Sequence, residues 1–197
     1  MYPSRSEAES LLYEAETCNP GPWGDHSRTA AHCAACIARQ CGLDPEKAYV
    51  LGLLHDIGRR FGKRHLGHVV DGFVYMTRLG WDEPARVCLS HSFPDKNLDD
   101  YVGRRDTTPA ETALLERELG RMEYDVYDYL IQLCDALAGA EGVLEIEARM
   151  EDVRRRYGAY PQMKWDANLS LLRRFEQACG GQSIYDVVDK DHFPLTI

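Results

Sequence analysis

The sequence predicts an all-α protein that folds as a single domain over residues 1–197. Apolar residues recur at spacings of three and four along most of the chain, which is the period of a helix with one buried face. Helix start and stop signals frame these stretches, and we find neither the strict alternation of a strand nor an internal repeat. At 197 residues, 44% hydrophobic and 28% charged, the chain is long enough to bury one substantial core.

The first two helices are predicted from the signals at their ends. Ser6 and Glu9 have the spacing of a capping box, so a helix of about three turns should begin there and end at the proline-rich loop that follows. A second helix should have Asp25 or Ser27 near its N-cap. Its buried face begins with His26 and continues through Ala30, Cys33, Ile37 and Cys41.

A third helix should start at Asp44, an N-cap residue that is followed by proline. Its last apolar turn delivers His55 and Asp56 to the mouth of the core. Gly58 is expected to end this helix in the left-handed conformation. A basic loop with the arginines and lysine of residues 59–64 comes next, which is a local concentration of cations in an acidic chain.

The fourth and fifth helices each place a histidine at one end of a buried face. His68 begins the face of the fourth helix, and His91 lies at the C-terminal end of the short fifth helix. Residues 92–107 lack periodicity and form the longest irregular stretch, and long loops in compact domains are often lids or binding loops. A capping box with proline at residues 108–111 then opens a sixth helix.

The seventh helix is predicted over residues 124–140, with Asp128 and Asp135 on one face. Asp128 either orients a ligand histidine or is exposed, and an exposed position is the preferred prediction. Further helices are expected near residues 145–157 and 168–179, and a short last helix should begin at Ser183.

Composition excludes several classes of function. The net charge of −9 and the pI of about 5.2 argue against long nucleic acid as a partner, because phosphate-binding proteins are usually basic. No apolar stretch approaches the ~20 residues that span a bilayer, and no signal peptide is recognised, so a cytoplasmic protein is expected. The seven cysteines suggest buried, reduced thiols, and Cys33 and Cys36 have only half of the usual zinc-site pattern.

Six histidine and aspartate residues, which are types that bind metal, interrupt the buried faces of the predicted helices. Any one of them alone would most simply be a hydrogen-bonded core residue, but burying all six requires many partners. Coordination of one or two metal ions would satisfy them together. His32, His65 and His192 are expected at the surface, with His65 as the fallback for His68. The six candidate ligands are His26, His55, Asp56, His68, His91 and Asp135.

In order and spacing, these residues resemble the H…HD…D signature of the HD-domain superfamily of metal-dependent phosphohydrolases. Residues 54–58 are similar to its HDIG variant, with His26 and Asp135 as the outer ligands. His68 and His91 match two further histidines of its two-metal branch. The resemblance covers roughly residues 22–140 and implies a helical core that holds one or two divalent transition-metal ions: Fe, Mn, Co, Ni or Zn.

The resemblance also implies the roles of individual residues. Asp56 would bridge two metal ions, and His55 and Arg59 would act with it in catalysis, although the family usually has lysine at position 59. Trp23 would either stack on a base or pack in the core, and packing in the core is the preferred prediction. The long segment within residues 92–125 has no counterpart in the resemblance and is predicted to be a lid or insertion, and residues 141–197 lie outside it as a helical extension. Candidate phosphate ligands, each with an ordinary surface charge as the alternative, are Arg28, Arg59, Arg60 and Lys63.

Three functions follow from this resemblance as alternatives. The first is a phosphohydrolase that acts on a small nucleotide or a related phosphate ester. The second is a di-iron oxygenase built on the same ligands, and the third is a nucleotide-binding regulatory domain without activity. The sequence leaves the natural substrate, the metal and the oligomeric state open.

Overall fold

Ten α-helices carry the fold of residues 1–189, which are the residues that the computed structural model describes. They are α1 (Arg5–Cys18), α2 (Trp23–Gln40), α3 (Pro45–Leu54), α4 (Gly67–Arg78), α5 (Asp82–Ser90), α6 (Pro109–Arg121), α7 (Val126–Leu137), α8 (Ile146–Tyr157), α9 (Gln162–Ala178) and α10 (Ile184–Asp189). Two 3₁₀ helices, Ile57–Phe61 and Leu98–Asp100, connect longer helices. The predicted mostly helical fold is therefore confirmed. The exception is a small antiparallel hairpin of β1 (Ala138–Gly139) and β2 (Gly142–Val143).

Two of the predicted helix starts are confirmed by their hydrogen bonds. Asp44 accepts from the backbone N–H groups of Glu46 and Lys47, at 2.9 and 3.2 Å, and proline follows it at the first position of α3. Thr108 and Glu111 form the predicted capping box of α6. Capping satisfies backbone donors that a helix leaves unpaired at its start, so these signals act locally and can be read from sequence.

The predicted starts of α1 and α2 are wrong in detail. The capping box of α1 is formed by Ser4 and Glu7, two residues before the predicted pair. Glu9 instead accepts a hydrogen bond from Arg5 on the surface of the helix. In α2 the N-cap is Pro22 and no side chain caps the helix. The helix begins earlier than Asp25 because the buried Trp23 packs into the core and donates its indole N–H to the backbone of the preceding loop.

Helix α2 lies at the centre of the domain and is buried over most of its length. Its alanines and cysteines permit close approach by α3, since a Cβ on Gly52 would lie only 2.8 Å from the Cα of Ala31. Cys33 and Cys36 are buried in this packing, and burial raises the pKa of the Cys33 thiol to about 12. Neither cysteine belongs to a metal-binding cluster of the described residues.

The C-terminal helices are part of the same core. Phe175 of α9 and Ile184 of α10 are buried in one cluster with residues of α2 and α7. Helix α7 ends at Leu137, three residues before the predicted end, because Ala138 turns into the hairpin and pairs with Val143. This turn sends α8 and α9 back toward the rest of the domain.

The prediction that residues 92–107 are irregular is confirmed, apart from the 3₁₀ helix within them. It is attached to the start of α4, where the Asp106 carboxylate accepts from the backbone N–H groups of His65 and Gly67 at 2.7 and 2.8 Å. Phe93 is buried with Leu115 of α6 in a separate apolar cluster. The segment and α6 therefore form a packed layer on α4, and their role as a lid stays a prediction.

Gly58 does not have the predicted left-handed conformation. Helix α3 already ends at Leu54, and Gly58 lies within the 3₁₀ helix Ile57–Phe61 without a positive φ. A Cβ at this position would lie 2.0 Å from the backbone oxygen of His68 and 2.4 Å from the backbone nitrogen of Gly72. Glycine is required here because two backbones touch, which no local helix-end rule reveals.

Replacing Gly58 with alanine is expected to destabilise the protein by about 3 kcal/mol, because the 3₁₀ helix and α4 must separate to admit one methyl group. The same shift would move His68, so metal content should fall as well. Denaturant unfolding and metal analysis measure both effects. The control is Gly120→Ala in α6, where nothing lies within 4 Å of an added Cβ. Equal stability of the two variants would contradict the packing argument.

Candidate metal centre

Five helical elements bring all six predicted metal ligands together. They come from α2, from the residues directly after α3, from the first turn of α4, from the residue after α5, and from the last turn of α7. The ligand atoms form two groups, and within each group they lie within 4.8 Å of one another. The groups are His26 with His55 and Asp135, and Asp56 with His68 and His91.

In the first group, His26 Nε2 lies 3.0 Å from Asp135 Oδ1 and 3.3 Å from His55 Nε2. His55 Nε2 is 3.7 Å from the same Asp135 oxygen. His55 is buried, whereas the Asp135 side chain is 30% exposed. The group is thus anchored in the core and open on one side, as a site that admits a substrate must be.

All three residues of the second group are buried. His68 Nε2 lies 3.0 Å from Asp56 Oδ1, and His91 Nε2 lies 3.6 Å from the same oxygen. The two imidazole Nε2 atoms are 3.3 Å apart. The groups adjoin each other, because His55 and Asp56 are consecutive and the rings of His55 and His91 are 5.0 Å apart between centroids. A two-metal arrangement therefore needs no movement of the backbone.

Every ligand histidine is oriented by a backbone carbonyl. A carbonyl oxygen only accepts, so each Nδ1 must carry the proton, and the Nε2 of the neutral ring then presents a lone pair to the centre. Such orientation of a ligand ring by a second hydrogen bond is usual at metal sites. The pairs are His26 with Ala138 O at 3.1 Å, His55 with Gly52 O at 2.7 Å, His91 with Cys88 O at 2.9 Å, and His68 with His65 O.

This arrangement makes acceptors face acceptors. If the rings are neutral, Nε2 lone pairs face each other and face carboxylate oxygens, with no proton between them. Asp56 Oδ1 is buried and has no hydrogen-bond partner in the described part of the chain, although two imidazoles surround it. Buried acceptors without donors are costly, and a cation between them removes the cost. The residues present therefore fit divalent metal ions at both groups.

The charges at the centre also suit metal binding. Burial raises the pKa of Asp56, but Arg59 and His68 outweigh burial and hold it well below its usual range. Burial lowers the pKa of His91 to about 3. Burial also lowers the pKa of His55, although Asp135 and Asp56 outweigh it and raise the pKa overall. An ionised carboxylate and a neutral imidazole are the forms that bind metal, so the shifts favour binding at Asp56 and His91, whereas His55 must lose a proton when a metal ion binds.

A cleft with two arms opens onto the centre. The smaller arm, of about 170 Å³, reaches the second group, and the larger, of about 720 Å³, reaches the first. One wall is built by α8 and α9, which lie outside the region of the predicted resemblance. The residues common to both arms are Asp56, Arg59, Asp135, Arg149, Arg156 and Tyr157.

The other predicted site residues are placed differently. Arg59 is at the centre and donates from Nε to Asp56. Arg28 forms ion pairs with Glu16 and Asp25, and Arg60 bonds to Glu14 and Tyr75, so neither lines the cleft. Their charges are satisfied by neighbouring side chains instead of facing the ligands.

Lys63 is exposed and does not line the cleft. Trp23 lies at the edge of the larger arm but is buried in the core, as preferred from the sequence. His32 and His65, which were expected at the surface, are half-buried. The fallback to His65 is unnecessary because His68 is in the second group. His192 lies outside the described residues.

Asp128 is fully buried, so the preferred prediction of an exposed position is wrong. Its carboxylate accepts hydrogen bonds from Ser90 Oγ and Arg86 Nε, both at 2.7 Å, and from the backbone of Asp125. Gln132 donates to the backbone oxygen of Ser90 at 3.0 Å. Together these bonds hold the end of α5, and thereby the backbone that positions His91. The tertiary partner Arg86 cannot be found from helical periodicity.

The cleft residues of the C-terminal helices were missed by the sequence reasoning. Arg149 lies next to the buried Met150 on α8, and Lys164 is half-buried on α9. The signal available was a cation beside a buried position of an amphipathic helix, which is common on ordinary surfaces and therefore weak.

The fold and the paired groups define a helical protein with two His/Asp clusters at its core that fit divalent metal ions. The chain belongs to the HD domain family, the superfamily of metal-dependent phosphohydrolases, since residues 23–140 match the family model. Several relatives are named ribonuclease Y. The protein from Deinococcus radiodurans is 29% identical over 156 residues, covering 76% of this chain and 26% of that protein. A protein from Thermus thermophilus is 27% identical over 154 residues, with the same coverage of both chains.

The similarity to these relatives is partial. The chain spans about a quarter of the length of the two proteins above, 26% in each case. The ribonuclease Y of Mycoplasma capricolum is 35% identical, but only over 78 residues. No solved structure matches the chain. Among the described residues, no helix is long and apolar enough to cross a membrane.

Proposed function

We propose that the protein is a two-metal phosphohydrolase that cleaves small phosphate esters, with nucleotides as the main candidates. The observation that carries the proposal is the convergence of six possible metal ligands on two adjoining points. Four imidazole nitrogens and two carboxylates meet there, and divalent cations would satisfy them together. Any of Fe, Mn, Co, Ni or Zn suits such nitrogen and oxygen ligands.

Bound divalent ions would supply a nucleophile at neutral pH and neutralise charge on the phosphoryl oxygens. His26, His55 and Asp135 would hold one ion, and Asp56, His68 and His91 the other. Because Asp56 directly follows His55 in the chain, its carboxylate is suited to contact both ions. Its second carboxylate oxygen accepts from Arg59, which fixes the direction of that side chain.

Arg59 is suited to bind the reacting phosphate. Its Nε donates to Asp56, its two terminal nitrogens make no hydrogen bond to the part of the chain that the structure describes, and the residue lines both arms of the cleft. A guanidinium in a partly buried site binds phosphate oxygens with directional, charge-assisted hydrogen bonds. Substrate binding would also exclude water from the smaller arm and thereby strengthen these contacts.

RNA is a second candidate substrate because the similar proteins above are named ribonuclease Y. The net charge of −9 and the small volume of the cleft argue against RNA as the substrate. An RNA-cleaving site would also be expected to continue into a basic surface groove. Small phosphate esters therefore remain the first proposal.

The proposal is tested by phosphate release from a panel of nucleoside mono-, di- and triphosphates, with an RNA oligonucleotide alongside. Protein is first freed of metal and then loaded with each candidate ion, and metal content is measured. We expect release from at least one nucleotide that depends on added metal. Metal-loaded, folded protein that releases nothing would overturn the proposal. Oxygen uptake by an iron-loaded sample would instead favour the oxygenase alternative.

A further inference from the structure

Two cations outside the HD-matching region are tied to the backbone beside the metal ligands. Arg149 of α8 donates from Nε to Ala138 O at 3.1 Å, and the same oxygen lies 3.1 Å from His26 Nδ1. Lys164 of α9 donates from Nζ to the backbone oxygen of Ser92 at 2.8 Å, and Ser92 directly follows His91. One cation thus stands beside each ligand group, and both line the smaller arm of the cleft.

These two cations have more distant carboxylate partners than the others of the cleft. Arg59 is paired with Asp56, and Arg156 donates to Asp152 at 2.9 Å. Arg149 forms only a long ion pair with Asp152, at 3.8 Å. No carboxylate of residues 1–188 forms an ion pair within 4.0 Å of the Lys164 amine.

Lys164 is also held in a costly environment. Burial lowers its pKa, while Asp135, Asp95 and Asp100 oppose this effect from a greater distance. A half-buried ammonium that bonds to a backbone carbonyl and has no close carboxylate is expensive, and in a chain of net charge −9 this is not explained by a shortage of carboxylates. An anion that enters the cleft would give both cations a closer charged partner.

The charge balance indicates the size of that anion. Two divalent ions would exceed the charge of Asp56 and Asp135 by two, and Arg149 and Lys164 add two more positive charges. A single phosphate monoester carries about two negative charges near neutral pH. Among these groups, a substrate with a second phosphate matches the excess more closely than a monoester does, although Asp152, Asp95 and Asp100 offset part of it.

We propose that Arg149 and Lys164 bind a second phosphate of the substrate, so that the substrates carry at least one phosphate besides the one that is cleaved. This inference rests on the proposed phosphohydrolase function and narrows its substrate class. The C-terminal helices then determine specificity, while the HD-matching region holds the metal ions. Monophosphate esters would bind without using either cation.

The test is a comparison of two inhibitors bound to the metal-loaded protein. Inorganic phosphate offers one phosphoryl group, and methylenediphosphonate offers two that cannot be cleaved apart by hydrolysis. We expect Arg149→Gln and Lys164→Gln each to weaken methylenediphosphonate binding about tenfold, with little effect on phosphate binding. Titration calorimetry measures both affinities. Matched controls are Arg155→Gln on α8 and Arg173→Gln on α9, whose side chains are exposed.

Metal stoichiometry separates substrate binding from a merely structural role. If Arg149 served only to position His26 through Ala138, its replacement would lower metal content and weaken both inhibitors equally, which would overturn the proposal. Unchanged binding of methylenediphosphonate in both variants would also overturn it. The measurement requires no turnover. Selective loss of methylenediphosphonate binding with no hydrolysis of any nucleotide would therefore refute the proposed function and leave this assignment standing.

Discussion

Asp56→Asn is expected to reduce metal-dependent phosphate release at least about 10³-fold, provided that the protein is the proposed phosphohydrolase. The substitution keeps the size of the side chain and removes its charge. It takes away the carboxylate that lies 3.0 Å from His68 and within reach of His91, and it also frees Arg59 from its partner. Both metal affinity and phosphate orientation should suffer.

Steady-state hydrolysis of the best nucleotide from the panel measures this loss, and circular dichroism checks that the fold is retained. Asp166→Asn on α9 is the matched control, because that carboxylate is exposed and bonds only to Gln162 among the described residues. Activity in Asp56→Asn equal to that of the control would remove Asp56 from the mechanism.

Metal loading is expected to stabilise the folded protein by about 4 kcal/mol per site when free metal exceeds its Kd a thousandfold. For a domain of this size the gain corresponds to a rise of roughly 10 °C in Tm. The physical reason is that the ligands converge only in the folded state, where their lone pairs otherwise face one another. A chelator should reverse the gain.

Differential scanning calorimetry with and without chelator measures this effect, alongside metal analysis. His91→Ala should retain the first ligand group, so its metal content should fall from two ions toward one, with part of the stabilisation lost. His26→Ala should do the same at the other group. A Tm that does not respond to metal, in protein shown to carry two ions, would contradict the coupling of binding to folding.

Much of the site could be predicted from sequence because its ligands obey local rules. Each lies near the end of a helix or on a buried face, and helical periodicity together with capping residues locates such positions within a few residues. The capping box of α1 shows the limit of such local rules, since Ser4 and Glu7 have the same spacing as the predicted pair and lie two residues earlier.

Other features depend on contacts between residues far apart in the chain. Gly58 lies against the backbone of α4. Asp128 is buried, where it accepts hydrogen bonds from Arg86 and Ser90. Arg28 and Arg60 form ion pairs with carboxylates of α1. Packing between helices decides which of the possible partners each of these residues contacts. The periodicity of one helix does not indicate which residues of a neighbouring helix will lie against it.

The sequence by itself determined the helical class and the positions of most helices, because these follow from interactions within a few residues along the chain, and the order and spacing of six candidate metal ligands could be read from it. Only the tertiary structure decided which cations face the centre. The hairpin at Ala138 directs α8 so that Arg149 reaches the carbonyl that orients His26, and α9 places Lys164 beside the backbone after His91. Those contacts join residues separated by many helical turns, and they arise only when the apolar faces pack together.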